Sequence, residues 1–143
     1  MVEQRYTMVS LGVRDLDRAA TFYEDGLGWK RSSDSNEQII FFKMGGVLLG
    51  LYSWDGLAED AKVSPDGSGF RGITIAHNAR TKEEVDRILD TAKAAGANIL
   101  KPAEEVFWGG YSGYFADPDG HLWEVAFNPF WPLDEEGRPQ LAD

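Results

Sequence analysis

Tyr114-Phe115-Ala116-Asp117-Pro118-Asp119-Gly120-His121-Leu122-Trp123-Glu124-Val125-Ala126-Phe127 is the stretch on which the reading of this chain turns. Pro118 presets its own φ and Gly120 accepts φ > 0, so Asp117 to Gly120 reads as a tight turn between two strands. Beyond the turn, Trp123, Val125 and Phe127 fall on one side of a strand, and Leu122, Glu124 and Ala126 on the other. The first side is uniformly apolar and reads as core. The second carries one carboxylate, Glu124, in mid-strand. Burying an unpaired carboxylate is costly, so Glu124 implies either a structural partner or a site.

At 143 residues the chain reads as a single domain, large enough for a real core. Hydrophobic residues at 43% and charged ones at 27% match an ordinary globular protein, and sixteen glycines suit a strand-rich fold with many turns. A net charge of -10 argues against nucleic acid as a partner and permits a cationic ligand. With no cysteine, neither a disulfide framework nor a thiolate metal site is available. Met1 to Arg5 has no apolar signal core and no run is long enough to cross a membrane, so a cytoplasmic protein without a membrane partner is expected.

Upstream of the deciding stretch the chain says the same thing twice. Tyr6 to Val13 alternates as a strand, and Asp15 caps a helix carrying Leu16, Ala19, Ala20, Phe22, Tyr23 and Leu27 at helical spacing, ended by Gly26 and Gly28. Three short strands are expected at Trp29 to Ser33, Gln38 to Lys43 and Val47 to Tyr52. The polar segment from about 54 to 69 reads as a linker with one helical turn near Leu57 to Lys62. The order then restarts with a strand at Gly72 to His77 and a capping box, Thr81 to Glu84, opening a helix with Val85, Ile88, Leu89, Ala92 and Ala95 on one stripe. Strands follow at about Asn98 to Ala103, Trp108 to Ala116 and Leu122 to Phe127. Module one thus spans about 6–53, module two about 70–128, and a tail 129–143. Phe130 and Trp131 of that tail are expected to pack on the domain or on a second subunit, and its last residues to fray. A helix covers one face of each sheet; two uncovered faces curling together would enclose a cleft.

Val13-Arg14-Asp15-Leu16 with Phe22-Tyr23 and Leu27-Gly28, and Tyr114 to Val125 at the other end, resemble the two modules of the vicinal oxygen chelate superfamily, the glyoxalase, bleomycin-resistance and ring-cleaving dioxygenase group. The resemblance spans Met8 to Phe127. It implies an α+β fold of paired βαβββ modules, a half-open barrel around a ligand cavity, and commonly a homodimer. Metal-dependent members of that group hold His, Gln or Glu at four positions, one on the first and one on the last strand of each module. Carried over by motif, those positions are Met8, Gly50, Gly72 and Glu124. Only Glu124 has the donor chemistry of a divalent ion, so no metal ligands and no cofactor are assigned. By strand parity His77 should face the helix and His121 sits at the turn, so neither completes a ligand set.

What remains is a cavity with one acid. Met8, Ser10, Gly50, Tyr52, Gly72, Thr74, Asn78 and Glu124 are expected to line it, the two glycines leaving room for a larger guest. Trp108 and Tyr111, flanked by glycines, are candidates for its aromatic rim. Glu124 is expected to have a raised pKa, or to stay charged opposite a cationic ligand or an arginine such as Arg71. Two functions follow. In one, a metal-free pocket binds or sequesters a small aromatic or cationic molecule. In the other, a glyoxalase-like lyase or isomerase uses Glu124 as catalytic general base, with Asn78, Ser10, Thr74 or a tyrosine hydroxyl as the only donors for an enolate oxygen. Binding ranks ahead of catalysis, and a metal-dependent dioxygenase behind both.

Overall fold

The computed structural model describes residues 1–143 and divides into two compact units, Met1–Gly69 and Phe70–Asp143. The fold is α+β, with a three-stranded sheet in the first unit and a four-stranded sheet in the second. No helix is long and apolar enough to cross a membrane.

In the first unit, β1 (Met8–Val13), α1 (Leu16–Thr21), β2 (Ile39–Lys43), β3 (Leu48–Ser53) and α2 (Trp54–Ala61) follow one another, with a π-helical turn at Phe22–Gly26 extending α1. The sheet order is β1-β3-β2, β1 parallel to β3 and β2 antiparallel to it. A parallel pair needs a crossover, and α1 supplies it. The Asp15 side chain caps α1, accepting a hydrogen bond from the Arg18 amide at 3.0 Å. Leu11, Val13, Ile40, Phe42, Leu49 and Leu51 alternate along their strands and are buried, as are Ala19, Ala20, Phe22 and Tyr23 of the helical segment.

The strand expected at Trp29 to Ser33 does not form. The Trp29 ring stacks on Tyr23 at 5.4 Å and meets Phe42 edge-on at 5.9 Å, which fixes the segment by its aromatic side chain. Only one backbone bond reaches β2 from it, Ser32 N–H to the Phe41 carbonyl at 2.7 Å. Ser35 then takes over as side-chain acceptor for the Phe41 amide at 2.9 Å, competing with a ladder. The single helical turn expected in the linker is instead the eight-residue α2, capped by Ser53, which accepts from the Gly56 amide at 3.2 Å.

The second unit runs β4 (Ile75–Ala79), α3 (Lys82–Ala94), β5 (Asn98–Glu105), β6 (Tyr111–Ala116), β7 (Leu122–Phe127). Its order is β4-β7-β6-β5, β4 parallel to β7 and the rest antiparallel. The capping box forms: Thr81 accepts from the Glu84 amide at 3.1 Å, and the Glu84 carboxylate reaches back to the Arg80 amide at 3.2 Å. Val85, Leu89 and Ala92 of α3 are buried together with Ala79, Phe115, Trp123 and Val125 of the sheet. Each fully buried Val or Leu there contributes roughly 1.5–3 kcal/mol. β4 begins three residues later than expected, because Gly72 takes φ +88°, which is outside strand geometry.

The tail does not simply fray. Leu133 bridges Pro139, and the Arg80 guanidinium donates to the Asp134 carbonyl at 2.8 Å. Phe130 and Trp131 stay 70% and 43% exposed.

Candidate functional site

Each unit contains one parallel strand pair that places equivalent residues. Ser10 lies opposite Gly50, and Ala76 lies opposite Glu124. Met8 is two residues before Ser10 and seven before the cap Asp15. Thr74 stands in the same relation to Ala76 and the cap Thr81. The counterpart of Met8 is therefore Thr74, and the assignment to Gly72 is corrected. Gly72 sits off the strand, with no heavy atom within 4 Å of where a Cβ would be.

On the second sheet, side-chain parity is fixed by Gly113. A Cβ there would lie 2.8 Å from Leu89 Cδ1 of α3, so Gly113 and its register partner Val125 face the helix. Phe115 and Trp123, stacked at 6.2 Å, share that side. Tyr114 and Glu124, opposite one another in the register, therefore share the other side with Ala76, Asn78, Ser112 and Ala126. The Tyr114 hydroxyl donates to Glu124 Oε2 at 3.3 Å. The phenol pKa is raised, first by desolvation, then by the Glu124 charge and by the hydrogen bond itself, so the phenol keeps its proton and the carboxylate accepts. Both residues are half-buried, while Ala76 on the edge strand β4 is exposed. The mid-strand acid has a phenol as its structural partner, where the sequence alone suggests an arginine such as Arg71, a backbone amide or a cationic ligand.

Met8, Ser10 and Gly50 lie together on the first sheet. A Cβ on Gly50 would meet Met8 Sδ at 3.1 Å and Ser10 Oγ at 3.7 Å, so the Met8 thioether packs against Gly50. Tyr52 packs beside Gly56 of α2, and Trp54 covers Gly12, with the Arg14 guanidinium 4.2 Å above its ring. Trp108 belongs to the β5–β6 turn, where its indole lies across Gly110. Tyr111 faces the helix, its hydroxyl donating to Asp86 at 2.6 Å, away from Tyr114 and Glu124. His77 is on the helix side, opposite Val125. Its imidazole pKa is lowered, mainly by desolvation and with the Glu84 charge opposing. His121 sits at the turn, its amide bonded to the buried Asp117 carboxylate at 2.8 Å.

Residues 5–125 match the sequence model of the glyoxalase/bleomycin resistance protein/dioxygenase superfamily. The chain belongs to that superfamily. A glyoxalase-related enzyme from Fulvimarina pelagi is 39% identical, with 98% of this chain and 99% of that one covered and a TM-score of 0.88. A superfamily member from Nocardioides is 25% identical over 99% of this chain and 93% of its own, with a TM-score of 0.70. A lactoylglutathione lyase from Agrobacterium tumefaciens is 26% identical over 93% and 100%, with a TM-score of 0.68.

The chelating metal of this superfamily does not fit the donor set here. The first unit offers Met8 and Gly50 at the four positions, and the second Thr74 and Glu124. A set of one carboxylate, one hydroxyl, one thioether and a glycine lacks the imidazole and carboxylate donors that divalent ions take. No group of three or more His, Cys, Asp or Glu is arranged to hold a metal ion.

Proposed function

We propose that this superfamily member binds a small organic molecule on the face of its second sheet that looks away from α3, with Glu124 as the polar anchor. The observation that carries this is the Tyr114–Glu124 pair, half-buried and flanked by the small side chains of Ala76 and Ala126. A structural ion pair would satisfy the acid from within. Here a single phenol engages one of its two oxygens, and the edge-strand residue directly opposite, Ala76, offers only a methyl group. The proposed site uses no metal. A fragment screen followed by amide chemical shifts tests the reading: hits should cluster on Ala76, Asn78, Glu124 and Ala126 and weaken in Glu124→Gln. Hits that avoid this face would sink it.

A second reading, a glyoxalase-like lyase or isomerase, is favoured by the same pair and by the Fulvimarina relative being described as an enzyme. Glu124 would take a proton from a carbon beside a carbonyl, and the Tyr114 hydroxyl would be the nearest donor for the enolate oxygen. Lactoylglutathione formation by the wild type that collapses in Glu124→Gln, with affinity retained, would establish catalysis. We place the protein in the cytoplasm as a homodimer, the exposed Phe130 and Trp131 supporting a second copy. Sedimentation of the wild type against Trp131→Ser tests the assembly.

A further inference from the structure

We infer that the guest of this face is a small planar cation carrying at least two N–H groups, an amidinium or a protonated aminoheterocycle, seated over Ala76 with Glu124 as its acceptor. The inference rests on the reading of this face as a binding site, and it names the ligand class that reading leaves open.

The count of protons decides the class. The hydroxyl proton of Tyr114 is given to Glu124 Oε2, which leaves the pair showing its surroundings a carboxylate oxygen, Oε1, and phenol lone pairs. All of these are acceptors. Ser112, on the same face, is only 3% exposed. Lys101, opposite Tyr114 in the register, has its ammonium 3.3 Å from Glu104. The exposed side of the acid therefore meets hydrogen-bond donors and repels oxyanions. A half-buried carboxylate gains most from a partner that brings both charge and donors, since charge-assisted hydrogen bonds are roughly twice as strong as neutral ones. The net charge of -10 acts in the same direction over longer range.

Shape decides the rest. On the β6 side of Glu124 stands the Tyr114 ring, and on the β4 side lies Ala76, the smallest side chain in its row and exposed. The next residue on that face of β4 is Asn78, whose amide can both donate and accept. A flat group resting on the Ala76 methyl would reach Glu124 edge-on with one N–H and leave a second for Asn78.

Benzamidine, benzamide and benzoate share one outline and differ in charge and donors, so they serve as probes at millimolar concentration, followed by amide shifts in the wild type, Glu124→Gln and Ala76→Leu. Benzamidine is expected to shift Ala76, Asn78 and Glu124, to bind about 10- to 100-fold more weakly in Glu124→Gln, and to be excluded by Ala76→Leu. Because Ala76 is exposed, a leucine fits there without overpacking, so this variant keeps the test valid should Glu124→Gln fail to fold. Benzoate or benzamide binding this face as tightly as benzamidine, and blocked by Ala76→Leu, would overturn the cation assignment and leave the site standing. No shift on this face with any probe would overturn both, and so would benzamidine binding that neither variant changes.

Discussion

Replacing Gly113 by alanine probes the side-chain parity on which the site depends. If Gly113 looks at α3, its neighbour Tyr114 must look away, and the acid–phenol pair is open to a guest. A Cβ on Gly113 would lie 2.7 Å from the Lys101 carbonyl oxygen, 2.8 Å from Leu89 Cδ1 and 2.9 Å from the Ala103 amide nitrogen. Two of those three are backbone atoms of β5, which cannot turn aside as a side chain can. Overpacking of this kind costs about 1–3 kcal/mol, and the lost flexibility of glycine in the unfolded chain returns about 0.4–1 kcal/mol. The net loss of about 1–2 kcal/mol corresponds to roughly 3–8 °C in Tm for a chain of this size. Gly50→Ala is the matched control. Its Cβ would meet Met8 Sδ at 3.1 Å, a few tenths of an ångström inside ordinary contact, and Met8 is 36% exposed and free to swing. The entropic gain then offsets the clash, and the change should stay within about 0.5 kcal/mol. Urea and thermal unfolding by circular dichroism measure both variants. A Gly113→Ala protein as stable as Gly50→Ala would refute the parity, and Tyr114 and Glu124 would then belong under the helix.

Tyr114→Phe should remove one late-titrating phenol from the absorbance titration of the tyrosines. Because the folded pKa of Tyr114 is raised, its stabilising contribution is complete below the ordinary tyrosine pKa near 10 and disappears as pH rises through the folded value. Alkaline destabilisation should accordingly be weaker in Tyr114→Phe than in the wild type. His77 has the opposite sign. Its lowered pKa means the unfolded chain binds the proton more readily, so stability falls as pH drops below about 6.5. His77→Gln should lose less stability between pH 7 and pH 5 than the wild type, read from paired urea midpoints. Arg80→Ala removes the donor to the Asp134 carbonyl and should speed proteolysis within residues 133–140 while leaving the unfolding midpoint within about 0.5 kcal/mol.

The hairpin around Asp117 to Gly120 also pairs the phenol with the acid, a relation that strand parity alone does not name. A turn centred on Asp119 pairs residues equally far from it, so Ala116 faces Leu122 and Tyr114 faces Glu124. Applied to the chain, that symmetry would have named the phenol; the aromatic candidates were chosen for nearby glycines instead, which favoured Tyr111. Helix caps were legible because Asp15 and Thr81 act locally, each bonding an amide three residues on. The starts of strands were less so. Gly72 reads equally well as strand or turn until its positive φ is known, and Trp29 to Ser33 has strand composition but is held by stacking on Tyr23. Both errors arise where tertiary packing or a glycine conformation overrides local pattern.

The duplication has diverged in chemistry while keeping its geometry. In the first unit, the row that pairs Ser10 with Gly50 is filled by the Met8 thioether, and Trp54 closes the neighbouring stretch over Gly12. In the second, the equivalent row pairs Ala76 with Glu124 and continues to Tyr114. Of Met8, Gly50, Thr74 and Glu124, the one charged residue stands in the second unit. Loss of one donor in a chelate strands the others, because a partial ligand set holds a divalent ion poorly while each remaining carboxylate still bears its desolvation cost. Glu124 has a hydrogen-bond partner of its own in the Tyr114 hydroxyl. An acid supported in this way can persist with no ion, and the charge it retains is what an organic cation would recognise.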